Sequence, residues 1–376
     1  MPKTLKENNN RIVAILGLND SLPFNNEGIV YKFLSGKFND NECAKLNTLT
    51  SGIPLTARNR KHSNLDYLLI IKEQQGIHLT LQIKEGISFT ENEQILMLIL
   101  SVKEKIYEKE FSIALDIDDY EISGLLEKMS GIVERIPTTA KESRAASSSK
   151  LVHNSRIVLD KYIQTFSEED IIRDIRRIVK AFRHGSYDQK LIYREVMKYD
   201  SLNQLFGGIS SRISAPVIIQ HVYSNLEDLL NDDMHYWLQR AKCIYRINYK
   251  DIASLRSSYQ YAKYVYNGTD KERLKKQSAL SVSLICAYMA KLVSEEDELR
   301  KLYIESIERG HEAMFSDYFM DENYRKAFLS ERNYSSLITE ICVNVNTTGI
   351  YDKELLEKAH QIIDKLRSAK TYHQTK

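Results

Sequence analysis

The stretch from Met234 to Tyr266 constrains the fold more than any other part of this chain. Trp237, Ala241, Ile244 and Tyr245 fall at i, i+4, i+7 and i+8, and after a break around Asn248 to Asp251 the residues Ile252, Leu255, Tyr259, Ala262 and Val265 repeat that spacing. Apolar residues that recur about every 3.6 positions line one face of a helix, so the stretch predicts two helices joined by a tight turn, each with one stripe to bury. Large residues alternate with small ones, Trp237 with Ala241 and Tyr259 with Ala262, which lets antiparallel helices approach closely. A pair of this kind cannot cover both stripes alone. Stacking further pairs against it does, and such stacks make tetratricopeptide-like helical repeats.

The rest of the carboxyl-terminal half fits that reading. Only 5 prolines and 14 glycines are spread over 376 residues, so little breaks long helices. Periodicity predicts helices over 190–198, 216–230, 271–292, 296–315, 323–329, 335–343 and 353–369, with Pro216 suited to a first helical turn. The clearest helix follows Ser167. That residue can cap it, Glu168, Glu169 and Asp170 complement the positive end of its dipole, and Gly185 stops it. Ile171, Ile175, Ile178 and Phe182 form its apolar face, and Arg173, Arg176, Arg177, Lys180 and Arg183 the opposite one.

The amino-terminal part has a different pattern. Ile77, Leu79, Leu81 and Ile83 alternate with His78, Thr80 and Gln82, the period-2 signature of a half-buried strand. An apolar run at 11–18 and a short helical candidate at 27–34 complete a small mixed α/β region over 1–90. At Thr90 the period changes, because Thr90 and Glu93 form a capping-box pattern ahead of Ile95 to Val102. A short segment from Phe111 to Leu115, a helix from Tyr120 to Met129 capped by Asp118, and a strand-like run from Ile132 to Ile136 follow. Helix, short helix, helix, strand is winged-helix order. The polar segment 137–150 reads as an exposed wing or linker and as the domain boundary. The expected fold is therefore mainly α: a mixed region over 1–90, a winged-helix-like module and linker over 91–150, and a helical-repeat domain over 151–376.

Charge and motifs narrow the chemistry. Lys and Arg number 53 against 51 Asp and Glu, a formal charge of +2, so no global field draws the chain to nucleic acid or anionic lipid. The densest apolar run, Ile95 to Leu100, falls far short of the roughly 20 residues needed to cross a bilayer, and the first ten residues lack the apolar core of a secretion signal. Cys43, Cys243, Cys286 and Cys342 form no CxxC pair, which suits buried thiols in a reducing cytoplasm. Ser35-Gly36-Lys37 recurs in phosphate-binding loops, but a loop of that type needs glycine at Tyr31 and a hydroxyl at Phe38. His311-Glu312 begins a zinc-protease motif whose second histidine is replaced by Phe315. Asp116, Asp118 and Asp119 are explained by helix capping. No catalytic residue, metal ligand or cofactor site is assigned, and the chain is expected to be non-catalytic.

Two polar constellations remain. Arg173, Arg176, Arg177 and Lys180 lie at one-turn spacing and could follow phosphates, as could the cluster from Arg58 to His62. Any surface helix needs such a solvated face, however, and the helix that would enter a major groove carries Glu121 and Glu127 against Lys128 alone. A winged-helix nucleic-acid binder is thus the alternative reading. The leading one is a protein or peptide partner held by the tyrosine-rich helix pair, through Arg240, Tyr245, Tyr249, Tyr261 and Tyr264, because tyrosine offers large contact area at low entropic cost.

Three segments carry a resemblance to a known family: His153-Asn154-Ser155-Arg156-Ile157-Val158, Met197-Lys198-Tyr199-Asp200-Ser201-Leu202 and Tyr236-Trp237-Leu238-Gln239-Arg240-Ala241. Over about Glu91 to Phe315 the chain resembles the region that follows the ATPase module in bacterial STAND-type P-loop NTPases of antiviral defence, where winged-helix-like segments lead into a tetratricopeptide-like sensor. The resemblance implies a sensing or scaffolding role. It supplies no ATP-binding or catalytic residue at any position of this sequence.

Overall fold

A computed structural model describes residues 2–8, 11–17, 65–73, 76–83, 88–129, 132–138, 149–153, 156–207, 215–320, 334–345 and 352–374. The helices expected at 27–34 and 323–329, the Ser35-Gly36-Lys37 turn, the Arg58 to His62 cluster and Cys43 lie outside these residues. The described chain is mainly helical, and it divides into two compact units, Met1–Val196 with Ser201–Ile213, and Met197–Asp200 with Ser214–Lys376.

The first unit opens with an antiparallel sheet in sequence order, β1 (Pro2–Asn8), β2 (Arg11–Gly17), β3 (Leu65–Glu73) and β4 (Gly76–Ile83). The alternation read from Ile77 to Ile83 is β4, and the apolar run from Arg11 is β2. Helix α1 (Glu91–Val102) begins with the expected capping box: the Glu93 amide donates to Thr90 Oγ1 at 3.4 Å and the Thr90 amide donates to Glu93 Oε2 at 2.7 Å. Glu93 is itself buried, and Lys128 compensates its charge at 2.8 Å. Ile95 through Leu100 are all enclosed, because α1 meets α4 (Arg156–Ile163), α5 (Glu168–Phe182) and α6 (Tyr187–Val196).

Between α1 and α4 the order is β5 (Lys105–Tyr107), α2 (Glu108–Leu115), α3 (Asp119–Lys128), β6 (Val133–Pro137) and β7 (Ser149–His153), with the three strands in an antiparallel sheet ordered β5-β7-β6. Asp118 caps α3 by accepting from the amides of Tyr120 and Glu121 at 2.9 and 2.8 Å. Strands β5 and β7 were not expected. Three residues are too few to show a period, and β7 is held by pairing Leu151 with Ile106 on one side and with Arg135 on the other. That pairing corrects the domain boundary. Strand β7 runs across position 150, so segment 137–150 connects two paired strands, and α4 to α6 belong to the first unit.

Helix α5 behaves as its sequence requires. Ser167 Oγ accepts from the Asp170 amide at 3.1 Å, and Ile171, Ile175, Ile178 and Phe182 are fully buried, each side chain contributing roughly 1.5–3 kcal/mol. Helix α7 (Tyr199–Gly207) starts within the second unit and continues in the first.

The second unit is a stack of helices: α8 (Ala215–Leu230), α9 (Met234–Ile247), α10 (Ile252–Gly268), α11 (Glu272–Ala290), α12 (Glu296–Met314), α13 (Tyr334–Asn344) and α14 (Lys353–Gln374). Sequence neighbours from α8 to α12 pack on one another, as do α13 and α14, and alternate helices also touch, α9 with α11, α11 with α13 and α12 with α14. Asp233 and Asp251 cap α9 and α10 through their carboxylates. Buried serines mark the crossings. Ser258 Oγ donates to the Ala241 carbonyl at 2.8 Å, Ser278 Oγ to the Ala262 carbonyl at 2.6 Å, and Ser283 and Ser306 exchange such bonds at 2.7 and 2.9 Å. One hydroxyl oxygen then spans the gap between two helix backbones, a spacing that only small residues permit. Gly310 shows the same tightness, since a methyl carbon there would lie 2.8 Å from Tyr334 Oη and 2.9 Å from Ser283 Oγ.

Candidate functional site

Helix α9 lies between α8 and α10 and buries two sides of itself. Leu238, Ala241 and Tyr245 are buried as the expected stripe requires, but Tyr236 and Cys243 are buried as well, while Trp237 and Ile244 sit half-buried at the margins. Tyr236 Oη donates to the Tyr223 carbonyl at 2.7 Å, and Tyr223 Oη to the Met197 carbonyl at 2.7 Å. Burial pushes both phenols above their usual pKa, so they remain protonated donors.

Trp237 and Arg240 build an aromatic cluster on this side of α9. The indole N–H donates to the Asn231 carbonyl at 2.8 Å, and the indole ring lies 5.1 Å from Tyr236, 4.8 Å from Tyr261 and 6.1 Å from Tyr264. The Arg240 guanidinium stands 5.4 Å from the Trp237 ring, 5.1 Å from Tyr261 and 5.9 Å from Tyr236. Each contact of this kind contributes about 0.5–2 kcal/mol, depending on how dry it is. Arg240 Nη1 donates to Glu227 Oε2 at 2.5 Å and to Tyr236 Oη at 3.1 Å. Burial opposes its charge, but Glu227 and then Tyr236 hold its pKa above the ordinary value.

Beside this cluster α8, α9 and α10 enclose an open cavity of about 290 Å³. Gln220 and Ser224 of α8, Asn248 at the end of α9, and Ser254 and Ser257 of α10 supply neutral hydrogen-bonding groups, Ile244 and Tyr261 supply apolar wall, and Arg240 supplies the charge. Cys243 also faces it, but burial pushes that thiol up to about 12, so it is not a nucleophile at neutral pH.

The five residues expected to form one recognition surface fall into two groups. Arg240, Tyr261 and Tyr264 gather around Trp237, with Tyr264 49% exposed. Tyr249, 38% exposed, and Tyr245 instead meet Tyr288 at 5.7 and 6.4 Å. Tyr245 is only 2% exposed, which corrects its assignment: it belongs to the core and has no surface to offer a partner. Gln220, Ser224 and Glu227 were missed, because nothing in the sequence of α8 reveals which of its residues α9 will face.

The basic face of α5 is largely engaged. Arg173 pairs with Asp170 at 2.7 Å and with buried Asp174 at 3.4 Å, Arg177 pairs with Glu91, and Arg176 has an interaction of its own, while Lys180 is exposed. Burial raises the Asp174 carboxyl to about 6 against the pull of Arg173. A second polar cluster joins α10, α11 and α12: Lys263 and Tyr259 bind Glu305, while Tyr266, Lys276 and Arg309 converge on Glu312. Burial works against ionisation of Glu312, but those three donors hold its carboxyl below the usual range, and Tyr266 is pushed up to about 12 by burial and by Glu312. A carboxylate held ionised by three donors is a packing lattice, poorly suited to moving a proton near neutral pH. His311 bonds Gln361 at 2.7 Å and stacks on Phe315, and among the described residues no cluster of three or more His, Cys, Asp or Glu could hold a metal ion. Nor, among the described residues, is any helix long and apolar enough to cross a membrane.

No protein-family model matches the chain, and no curated protein matches it. Among solved structures, a chain from "Computational Design of Self-Assembling Cyclic Protein Homooligomers" aligns over 74% of this chain and 90% of its own at 12% identity, with a TM-score of 0.17. That score is too low to carry an argument about fold or function.

Proposed function

We propose that the chain is a non-catalytic binding protein, a sensor or scaffold whose second unit holds a protein or peptide partner. The observation that carries this reading is the stack itself: helix pairs locked by buried serine-to-carbonyl bonds place half-exposed aromatics on a rigid frame. Rigid aromatics lose little entropy on binding, which makes such a frame a good recognition surface. The finer form of the reading is a tetratricopeptide-like array preceded by a winged-helix-like module. The order helix, strand, two helices, two strands with β7 central in its sheet supports the module, and alternate-helix contacts support the array. With the resemblance to the sensors of STAND-type NTPases, the proposed role is ligand recognition in a bacterial antiviral defence system. The nucleic-acid alternative is weaker, because Arg173 and Arg177 already neutralise carboxylates of their own unit.

A cross-linking pull-down from cells tests the reading. Tyr249→Ala with Tyr264→Ala removes exposed aromatics, so a partner captured by the wild-type chain should be lost while the thermal melt is unchanged. Equal capture by both proteins would refute this surface.

A further inference from the structure

We propose that the cavity between α8, α9 and α10 is a carboxylate-binding site that takes an acid group carried on a flat apolar body. The proposal deepens the binding reading of the second unit by naming what is recognised. Among the described residues Arg240 is the only charged side chain lining the cavity, and the groups around it, Gln220, Ser224, Asn248, Ser254 and Ser257, are neutral donors and acceptors. Glu227 already offsets part of this charge, so a singly charged carboxylate adds less uncompensated charge to the pocket than a doubly charged phosphate would. Both hydrogen bonds that Arg240 makes with described residues leave from Nη1. Its Nε–H and Nη2 protons form a second fork, and a guanidinium fork matches a carboxylate in two parallel bonds. Glu227 already shows that this guanidinium accepts a carboxylate at 2.5 Å, and at 48% exposure that side chain can yield its place or share the cation. Tyr261 and Ile244 supply the wall on which a flat apolar body would lie, and the volume of about 290 Å³ suits a fragment the size of an aromatic acid.

The chain carries its own reporter, since its single tryptophan, Trp237, lies 5.4 Å from the guanidinium. Titration of the full chain with benzoate, followed by tryptophan emission, should give a saturable change, and benzamide, the neutral isostere, should bind at least tenfold more weakly. Arg240→Gln should abolish the benzoate response, and Glu227→Gln should retain or tighten it. Equal affinity for benzoate and benzamide, or an undiminished response in folded Arg240→Gln, would overturn the proposal. The comparison of the two probes on wild-type protein stands even where the variant fails to fold. A tripeptide ending in phenylalanine, with a free or an amidated terminus, separates the two sources of such a carboxylate. Binding of the free peptide alone assigns the site to a partner's chain end, and binding of benzoate alone assigns it to a small acid. Absence of any saturable response to either overturns it. Failure here leaves the pull-down with Tyr249 and Tyr264 untouched, and failure there leaves this titration untouched, so the two readings fall separately.

Discussion

Helices α5 and α11 solve the same problem in opposite ways. In α5 one face of Ile171, Ile175, Ile178 and Phe182 is buried and the other carries arginines, so the helix meets its core along a single side. In α11 every residue from Ser278 to Met289 is buried, and the positions that make this possible are small: Ser278, Ala279, Ser281, Ser283, Cys286 and Ala287. The first helix is held by volume, the second by closeness. Taking atoms away should therefore damage α5 most, and adding atoms should damage the surroundings of α11.

Three substitutions put that contrast at risk. The largest effect is expected for Ile175→Ala, which opens a cavity in the α5 core and should lower stability by about 3 kcal/mol in urea unfolding. A loss below about 1 kcal/mol would mean that this face collapses freely. Next, Gly310→Val adds atoms where α12 approaches Ser283 of α11 and Tyr334 of α13, and should cost about 2 kcal/mol although valine is the better helix former. A stabilised variant would show that the crossing has slack.

The smallest effect concerns Asp174, the one carboxylate on the buried face of α5. Its folded pKa of about 6 lies above the ordinary 3.8, so between those values the folded chain keeps a proton that the unfolded chain has lost. The contribution of Asp174 to stability must then fall as pH rises through that window, and Asp174→Asn, which mimics the protonated form, should be more stable than wild type by about 1–2 kcal/mol at pH 7. The advantage should vanish below pH 4. An advantage that persists there would place its cause outside this proton.

The same contrast explains what could be read in advance. The faces of α5, its Ser167 cap, the Thr90 capping box and the ends of most later helices were legible, because each depends on residues within one or two turns of one another. The enclosure of α11 was not. A helix with neighbours on all sides has no stripe for periodicity to find, and its serines read as polar until a carbonyl from another helix is in place. Helix α9 failed halfway: with partners on two sides, it buries Tyr236 and Cys243 beside the expected stripe, which leaves Trp237 half-buried against Tyr261. Of the candidate site, Arg240 and Tyr261 were visible in the sequence, but the contribution of α8 was not, since it arises from contacts across the Asn231 turn. Strands β5 and β7 escaped for the same reason, as their pairing joins residues more than forty positions apart.

The encirclement of α11 also bears on how the second unit comes apart. A segment that touches helices before it and after it loses its shelter only when the array opens on both flanks, so its amides should trade hydrogen for deuterium last. The outer helices can fray while the middle holds. Unfolding would then advance from the ends inward, and the groove beside α9, near one end, would be among the first places to loosen and the easiest for an incoming ligand to tighten.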